Sequence, residues 1–166
     1  MFRLTKAGVP MRIAVVGDTH ARIDPAKREL LKVKPDYMLF TGDFYADAIR
    51  LSHHVGVPFQ AVAGNCDVSN AGPPELLIEL AGKRFYMVHG HQYGVKLGLQ
   101  SLFYRGQEQE ADVVLFGHTH LPCCELVEKI WLINPGSPSR PRGGTGGSFG
   151  LIDIEGEQLL PRIIEI

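Results

Sequence analysis

Five short polar motifs, each directly after an apolar run, contain side chains that bind metal ions. The motifs are Gly17-Asp18-Thr19-His20, Gly42-Asp43, Gly64-Asn65-Cys66-Asp67, His89-Gly90-His91 and Gly117-His118-Thr119-His120. Carboxylates together with imidazoles suit manganese, iron, cobalt, nickel or zinc better than magnesium or calcium alone. A carboxylate has two oxygens and can hold two cations at once. The set therefore indicates a centre of two metal ions.

Each motif has a simpler explanation when it is considered alone. Asp18 and Asp43 each follow a glycine, where aspartate commonly serves as a turn residue. Residues 64–67 can be an Asx turn, and one histidine at a strand end can be a hydrogen-bonded core residue. However, five of the seven histidines lie within these motifs. One metal centre explains all five motifs together.

The elements that must position these motifs begin as an alternation of strands and helices. Apolar strands are predicted over residues 11–16, 37–41 and 58–63, with helices over 25–34 and 46–55 between them. This order predicts a parallel sheet that is buried on both faces. The motif residues lie just past the strand ends, which is where such sheets bind their ligands.

The second half of the chain has a different pattern. Residues 76–80 and 83–88 predict a hairpin, and residues 95–105 predict a helix. Short strands are predicted over 113–116, 123–127, 130–134, 149–154 and 159–164, as an antiparallel meander. We therefore expect an α/β (α+β mixed) fold with two facing mixed β-sheets flanked by helices, a four-layer αββα sandwich.

Length and composition limit the remaining possibilities. The 166 residues fit one domain, 1–166, in which residues 1–10 are a possible N-terminal extension because Met11 opens the first strand. A net charge of −1 gives no indication of nucleic-acid binding, and no apolar stretch approaches the ~20 residues of a membrane span. The odd cysteine count, with Cys123 and Cys124 adjacent, favours a reducing cytoplasm.

The motifs resemble those of the calcineurin-like metallophosphoesterases, particularly their small single-domain phosphodiesterase branch. Motif order, spacing and strand context all agree, and Asn134-Pro135-Gly136-Ser137 is also similar to that branch. The resemblance implies a dinuclear metal-dependent phosphoesterase that hydrolyses small phosphate esters, preferably diesters, by a metal-bridging hydroxide. It implies no membrane partner and leaves a homo-oligomer open.

The resemblance also implies which side chains hold each ion. One ion is bound by Asp18, His20, Asp43 and His120, and the other by Asp43, Asn65, His89 and His118, with Asp43 as the bridge. Manganese is the expected metal, with nickel, iron, cobalt or zinc as alternatives. Because two divalent cations outweigh two carboxylates, the centre stays positive and attracts a phosphate ester.

The chain departs from many family phosphatases at Cys66, where those enzymes have a histidine that is taken to assist the leaving group. A thiol is a poor general acid there, although the small phosphodiesterases resemble this chain at that position. The leaving-group acid is therefore unassigned. His91 is a candidate, and a supporting role for it is equally open, while the Asn65 amide can donate to phosphate.

Three other interpretations stay open. A phosphomonoesterase is disfavoured by Cys66, and a structural zinc protein usually holds one closed tetrahedral ion with cysteines. A non-catalytic protein-binding scaffold of the same fold is disfavoured because all seven ligand positions carry competent side chains. Arg140 and Arg142, before the glycine-rich residues 143–147, can bind a phosphate or can simply be solvated.

Overall fold

The computed structural model of this chain describes residues 2–3 and 9–166. The expected N-terminal extension over residues 1–10 falls largely outside the described residues. Among the helices that are described, none combines the length and the apolar character needed to cross a membrane.

Most predicted elements form, with ends shifted by one or two residues. The helices are α1 (Asp24–Val33), α2 (Tyr45–Val55) and α3 (Gln100–Glu108), and a 3-10 turn covers His91–Tyr93. The strands are β1 (Phe2–Arg3), β2 (Met11–Val16), β3 (Tyr37–Phe40), β4 (Phe59–Ala61), β5 (Glu75–Leu80), β6 (Lys83–Val88), β7 (Val113–Leu115), β8 (Pro122–Val127), β9 (Ile130–Pro135), β10 (Ser148–Glu155) and β11 (Gln158–Glu165).

The strands form two mixed sheets, which confirms the predicted architecture. One sheet has the order β11-β10-β2-β3-β4, and the other has the order β1-β5-β6-β7-β9-β8. The pairs β2–β3, β3–β4, β6–β7 and β7–β9 are parallel. Their carboxyl ends therefore meet at one edge of the sandwich.

Three hydrophobic cores define the four layers. The central core between the sheets contains Val15, Leu39 and Met87. On the outer face of the first sheet, α1 and α2 bury Leu30 and Leu51. On the outer face of the second sheet, α3 buries Leu102 against residues of β6, β7 and β9. Each sheet is thus covered on both faces, as the apolar strand sequences require.

Two predictions about the second half are wrong. The last strands do not continue a meander from β9, because β10 returns to the first sheet and pairs antiparallel with β2. In that position Ile152 reaches the central core while Leu151 reaches the core beneath the helices. The helix expected from residue 95 begins instead at Gln100, since residues 94–97 form a turn in which Leu97 N donates to Gly94 O at 2.8 Å.

Candidate metal centre

The five motifs lie together at the carboxyl ends of β2, β3, β4, β6 and β7. Backbone hydrogen bonds tie neighbouring motif loops within each sheet: Asp18 N donates to Gly42 O at 3.0 Å, and Gly117 N donates to His89 O at 2.9 Å. The loops of the two sheets face each other across this edge. Side chains that are far apart in the sequence are thereby brought into one cluster.

The first group of ligand atoms is compact and buried. Its members are Asp18, His20, Asp43 and His120, and their ligand atoms all lie within 4.8 Å of one another. The two histidine Nε2 atoms are 3.1 Å apart. His20 Nε2 lies 3.6 Å from Asp43 Oδ2, and His120 Nε2 lies 3.4 Å from Asp18 Oδ1.

The second group lies on the other side of Asp43. His89 Nε2 is 3.3 Å from Asp43 Oδ1 and 3.1 Å from Asn65 Oδ1. The His118 ring is centred 5.1 Å from the His89 ring. Asp43 therefore presents one carboxylate oxygen to each group. His89 is buried, His118 is half-buried and Asn65 is exposed, so this side is the more open to solvent.

One buried oxygen atom in the site supports metal binding by this set of side chains. Asp18 Oδ1 is buried and has no hydrogen-bond partner among the described residues, although Asp18 Oδ2 accepts the backbone N–H of His118 at 3.0 Å. An ionised oxygen without a partner is costly in a protein interior. A cation beside His120 Nε2 would satisfy it. The chemistry of the set, carboxylates with imidazoles, suits transition metals.

Two of the imidazoles are oriented by backbone carbonyls. His89 Nδ1 lies 2.8 Å from Thr41 O, and His120 Nδ1 lies 2.7 Å from Arg140 O. A carbonyl can only accept, so Nδ1 carries the proton and the Nε2 lone pair is directed into the cluster. This is the tautomer that a metal ligand requires.

The backbone of the motif loops is left-handed at five of the candidate ligands. The φ values are 52° at Asp18, 47° at His20, 59° at Asp43, 68° at His118 and 59° at His120. This conformation is costly for residues with a Cβ atom and persists only when the surrounding structure imposes it. Gly42, with a φ of 99°, also permits close packing, because a Cβ there would lie 2.8 Å from His89 Nδ1.

A buried carboxylate that the sequence analysis did not identify supports the first loop. Asp47, in the first turn of α2, accepts hydrogen bonds from Thr19 Oγ1 at 2.6 Å and from Ala21 N at 2.9 Å. Arg50 Nη1 also donates to it, at 3.0 Å. These bonds hold the chain on both sides of His20. The available signal was an acidic residue at the helix start one turn after Asp43.

The end of β9 and the connection that follows it join the first and last motif loops. Asn134 Nδ2 donates to Gly117 O at 3.0 Å and to Thr119 Oγ1 at 2.9 Å. Ser137 Oγ donates to Asp18 O at 2.7 Å. The sequence analysis noted residues 134–137 only as a similarity to one branch of a family. The structure gives them a physical role, which is to fix the separation of the two loops.

The remaining candidates, His91 and Cys66, lie beside the cluster and are exposed. The His91 ring is centred 5.5 Å from that of His89 and 6.1 Å from that of His118. Burial, assisted by the charge of His89, lowers the pKa of His91. Burial and then the neighbouring Asp43 raise the pKa of the Cys66 thiol to about 11. Cys66 therefore stays protonated at neutral pH and is a weak acid.

Burial and neighbouring charge also favour the neutral form of His118 and the ionised form of Asp43. Burial lowers the pKa of His118 to about 4, and the charges of His89 and Lys96 act in the same direction. Burial alone would raise the pKa of Asp43, but contacts with His89 and the Cys66 N–H outweigh it and hold that pKa below its usual range. An ionised Asp43 beside a neutral His118 is the protonation state that metal binding needs.

Comparison with known proteins identifies clear relatives. Residues 11–157 match the model of the calcineurin-like phosphoesterase superfamily domain. The chain is 30% identical to Probable metallophosphoesterase YsnB of Bacillus subtilis, over 93% of this chain and 91% of that protein. It is 36% identical to Phosphodiesterase YfcE of Escherichia coli, over 56% of this chain and 51% of that protein.

Solved structures agree with these relatives. A Streptococcus pneumoniae protein described as a predicted phosphoesterase superposes with a TM-score of 0.81 and 28% identity, over 96% of this chain and 91% of that chain. Vacuolar Protein Sorting 29 of Cryptosporidium parvum superposes with a TM-score of 0.81 and 19% identity, over 95% of this chain and 92% of that chain. At that identity the second likeness concerns the fold alone.

Proposed function

Since the chain belongs to the calcineurin-like phosphoesterase superfamily, we propose that it is a metal-dependent hydrolase whose preferred substrates are small phosphodiesters. The phosphoesterase predicted from the sequence is confirmed at the level of the family. The observation that carries the proposed metal dependence is the convergence of two groups of candidate ligands on Asp43, whose oxygens face His20 and His89 separately. The preference for diesters rests on Cys66.

We assign the ligands as the sequence analysis predicted. Asp18, His20, Asp43 and His120 would hold one divalent ion, and Asp43, Asn65, His89 and His118 would hold the other. Manganese is the metal that we propose, with nickel, iron, cobalt or zinc as alternatives. When bound, the ions supply Lewis-acid stabilisation of the negative charge that develops on the phosphoryl oxygens.

The protein's own side chains contribute orientation and proton transfer. The Asn65 amide is exposed beside His89, so its NH2 group can donate to a phosphoryl oxygen while its carbonyl oxygen remains a ligand. His91 is exposed and outside both ligand groups. It is placed on the His118 side, where it can donate a proton to the departing alkoxide or phenoxide. Cys66, with its raised pKa, is the weaker candidate.

Competing functions have less support. A scaffold without catalysis has support from a likeness of fold at 19% identity, whereas all seven candidate ligand positions of this chain carry side chains that can bind metal. A phosphomonoesterase is disfavoured by Cys66, which takes the place of a histidine acid.

We also propose one domain over residues 1–166 and a cytoplasmic location. The latter is supported by the free state of all three cysteines. A homo-oligomer stays a prediction.

The test is an activity screen of the purified chain, stripped of metal and reloaded with one metal at a time. Bis(p-nitrophenyl) phosphate, p-nitrophenyl phosphate and 2′,3′-cyclic AMP serve as diester, monoester and cyclic substrates. We expect hydrolysis that depends on added metal, is greatest with manganese and favours the diesters. Metal-loaded protein that hydrolyses none of the three would contradict the proposal, and a preference for the monoester would favour the phosphomonoesterase.

A further inference from the structure

Two arginines lie at the edge of the metal centre on a loop that is fixed to it. Ser139 Oγ donates to Thr19 O at 2.7 Å, and Arg140 N donates to Ser137 Oγ at 2.8 Å. Arg140 O accepts from His120 Nδ1, and Arg142 N donates to His120 O at 3.4 Å. The backbone of this loop therefore cannot move independently of the ligands.

Both arginines are joined through their main chains to His120, one of the candidate ligands, so both side chains start at the edge of the cluster. Both side chains are exposed. Each positive charge therefore adds to the field at the entrance of an already cationic centre.

Neither guanidinium has a partner in the part of the chain that the structure describes. Side-chain hydrogen bonds and ion pairs are absent for both Arg140 and Arg142 among those residues, whereas Arg12, Arg105 and Arg162 each pair with a carboxylate. Two cations held beside the centre without a carboxylate form a site for an external anion.

We propose that Arg140 and Arg142 form a second anion-binding subsite, and that the substrate is a phosphodiester carrying an additional phosphate group on that side. The inference rests on the proposed phosphodiesterase function. His91 contacts the rings of His89 and His118 at the opposite flank. The extra phosphate therefore belongs to the part of the substrate that stays behind when the leaving group departs on the His91 side.

The experiment compares two substrates that share a leaving group. Thymidine 5′-(p-nitrophenyl phosphate) is hydrolysed with and without a 3′-phosphate by manganese-loaded protein at low ionic strength. We expect the 3′-phosphate to lower KM by about tenfold, since two charge-assisted contacts at an exposed site contribute roughly fivefold each at most. The preference should weaken as salt is added.

The test variant is the double substitution Arg140→Gln and Arg142→Gln, which keeps the backbone carbonyl that orients His120. The matched control is Lys34→Gln with Lys129→Gln, which removes two exposed charges from the opposite end of the sandwich. We expect the KM ratio between the two substrates to fall towards one in the arginine variant and to be retained in the control. If the KM ratio fell equally in both variants, the preference would be an effect of net charge, and the proposal would be overturned.

A binding measurement separates this inference from the proposed function. Calorimetry compares thymidine 3′,5′-bisphosphate with thymidine 5′-monophosphate on the same three proteins, without turnover. Tighter binding of the bisphosphate that requires the arginines supports the subsite even if neither ester is hydrolysed, in which case only the proposed function fails. Hydrolysis of both esters with the same KM in the parent, and equal affinity for both nucleotides, would overturn the subsite and leave the function intact.

Discussion

The two ends of the sandwich contain the same unusual backbone conformation for different reasons. At the end opposite the metal centre, Lys34 has a left-handed φ of 49° because it is the C-cap of α1, where its N–H donates to Leu30 O at 2.9 Å. At the metal end, Asp18 and His120 adopt similar φ values in loops rather than at the end of a helix. There the conformation is imposed by residues distant in the sequence, including Asp47 and Ser137.

The charges of the two ends differ in the same way. At the far end, Asp153 pairs with Arg12 and Arg162 at the surface, and each partner compensates the other. At the metal end, Asp18 and Asp43 are buried with four imidazoles nearby, and Asp18 Oδ1 has no partner in the described structure. The charge of Asp153 at the far end is thus compensated within the chain, whereas the metal end is organised around something that binds there.

The strongest test of this contrast removes the carboxylate that both ligand groups share. We expect Asp43→Asn to lower kcat by at least about 10²-fold and to reduce the metal content from two ions per chain, since both ions lose a ligand. Asn65→Ala should weaken only one site. Glu155→Gln, an exposed acid at the far end, should match the parent. Elemental analysis and kcat measure the effect, and a parent that never holds more than one ion contradicts the dinuclear assignment.

The next largest effect concerns support of the metal loop by a buried acid. Asp47→Ala removes the acceptor for Thr19 and Ala21, so we expect metal affinity to fall by roughly 10- to 100-fold. Asp153→Ala removes a carboxylate with two arginine partners at the far end and should leave metal affinity unchanged. Competition with a chelating indicator measures both. If Asp47→Ala does not fold, Thr19→Val removes the hydrogen bond from Thr19 Oγ1 at nearly constant volume, and parent-like affinity there would contradict the positioning role.

A smaller effect is expected from placing a histidine at position 66 as a further acid. Because the Cys66 thiol is a weak acid and the lowered pKa of His91 leaves little of it protonated at neutral pH, the rate of the parent should depend steeply on the pKa of the leaving group. Cys66→His should raise turnover of esters with poor leaving groups by about 10²-fold, at the lower end of the range of general acid catalysis. A series of aryl phosphodiesters measures how steeply the rate depends on the pKa of the leaving group. A flat series in the parent, with chemistry rate-limiting, would mean that another group already donates, and a steep slope appearing in His91→Ala would identify His91.

Glycine substitution of a residue with a left-handed φ should have a different effect at each end of the sandwich. Lys34→Gly is expected to raise the free energy of unfolding by about 0.5–1 kcal/mol, because glycine adopts the left-handed conformation without a Cβ penalty. Ala21→Gly removes a comparable penalty, at a φ of 66°, but loosens the loop of His20, so metal affinity should fall. Denaturant unfolding and metal titration of both variants make the comparison. An equal effect of both changes on metal affinity would contradict it.

The smallest effect is a dependence of stability on pH at the far end. Hydrogen bonding to Arg12, and then to Arg162, lowers the pKa of Asp153 below its usual value. The stabilisation is therefore present above the unfolded-state pKa of about 4 and is lost as the pH falls through the folded-state value. Because both arginines are substantially exposed, we expect about 1 kcal/mol or less. Unfolding of the parent and Asp153→Asn at pH 3 to 7 should show curves that converge towards low pH.

The sequence predicted those features that depend on local pattern or on side-chain chemistry. Each ligand candidate follows a strand whose apolar run is visible, so the parallel strands could be aligned and their carboxyl ends superposed. The return of β10 to β2 could not be predicted, because a strand that is apolar on both faces, as at Leu151 and Ile152, fits either sheet. Asp47 was also missed, since an acid at a helix start is common and its hydrogen bonds join separate loops.

The carbonyl oxygens that orient His89 and His120 have a consequence for mutational scanning. Thr41 and Arg140 contribute these acceptors through the main chain, and every substitution leaves a main-chain oxygen in place. A scan that replaces one side chain at a time therefore does not detect the contribution of these two carbonyl oxygens. Only a change in the path of the backbone, such as an insertion or deletion beside Thr41 or in the loop at Arg140, would expose it. Sequence drift at these two positions can be extensive while the histidines keep their orientation.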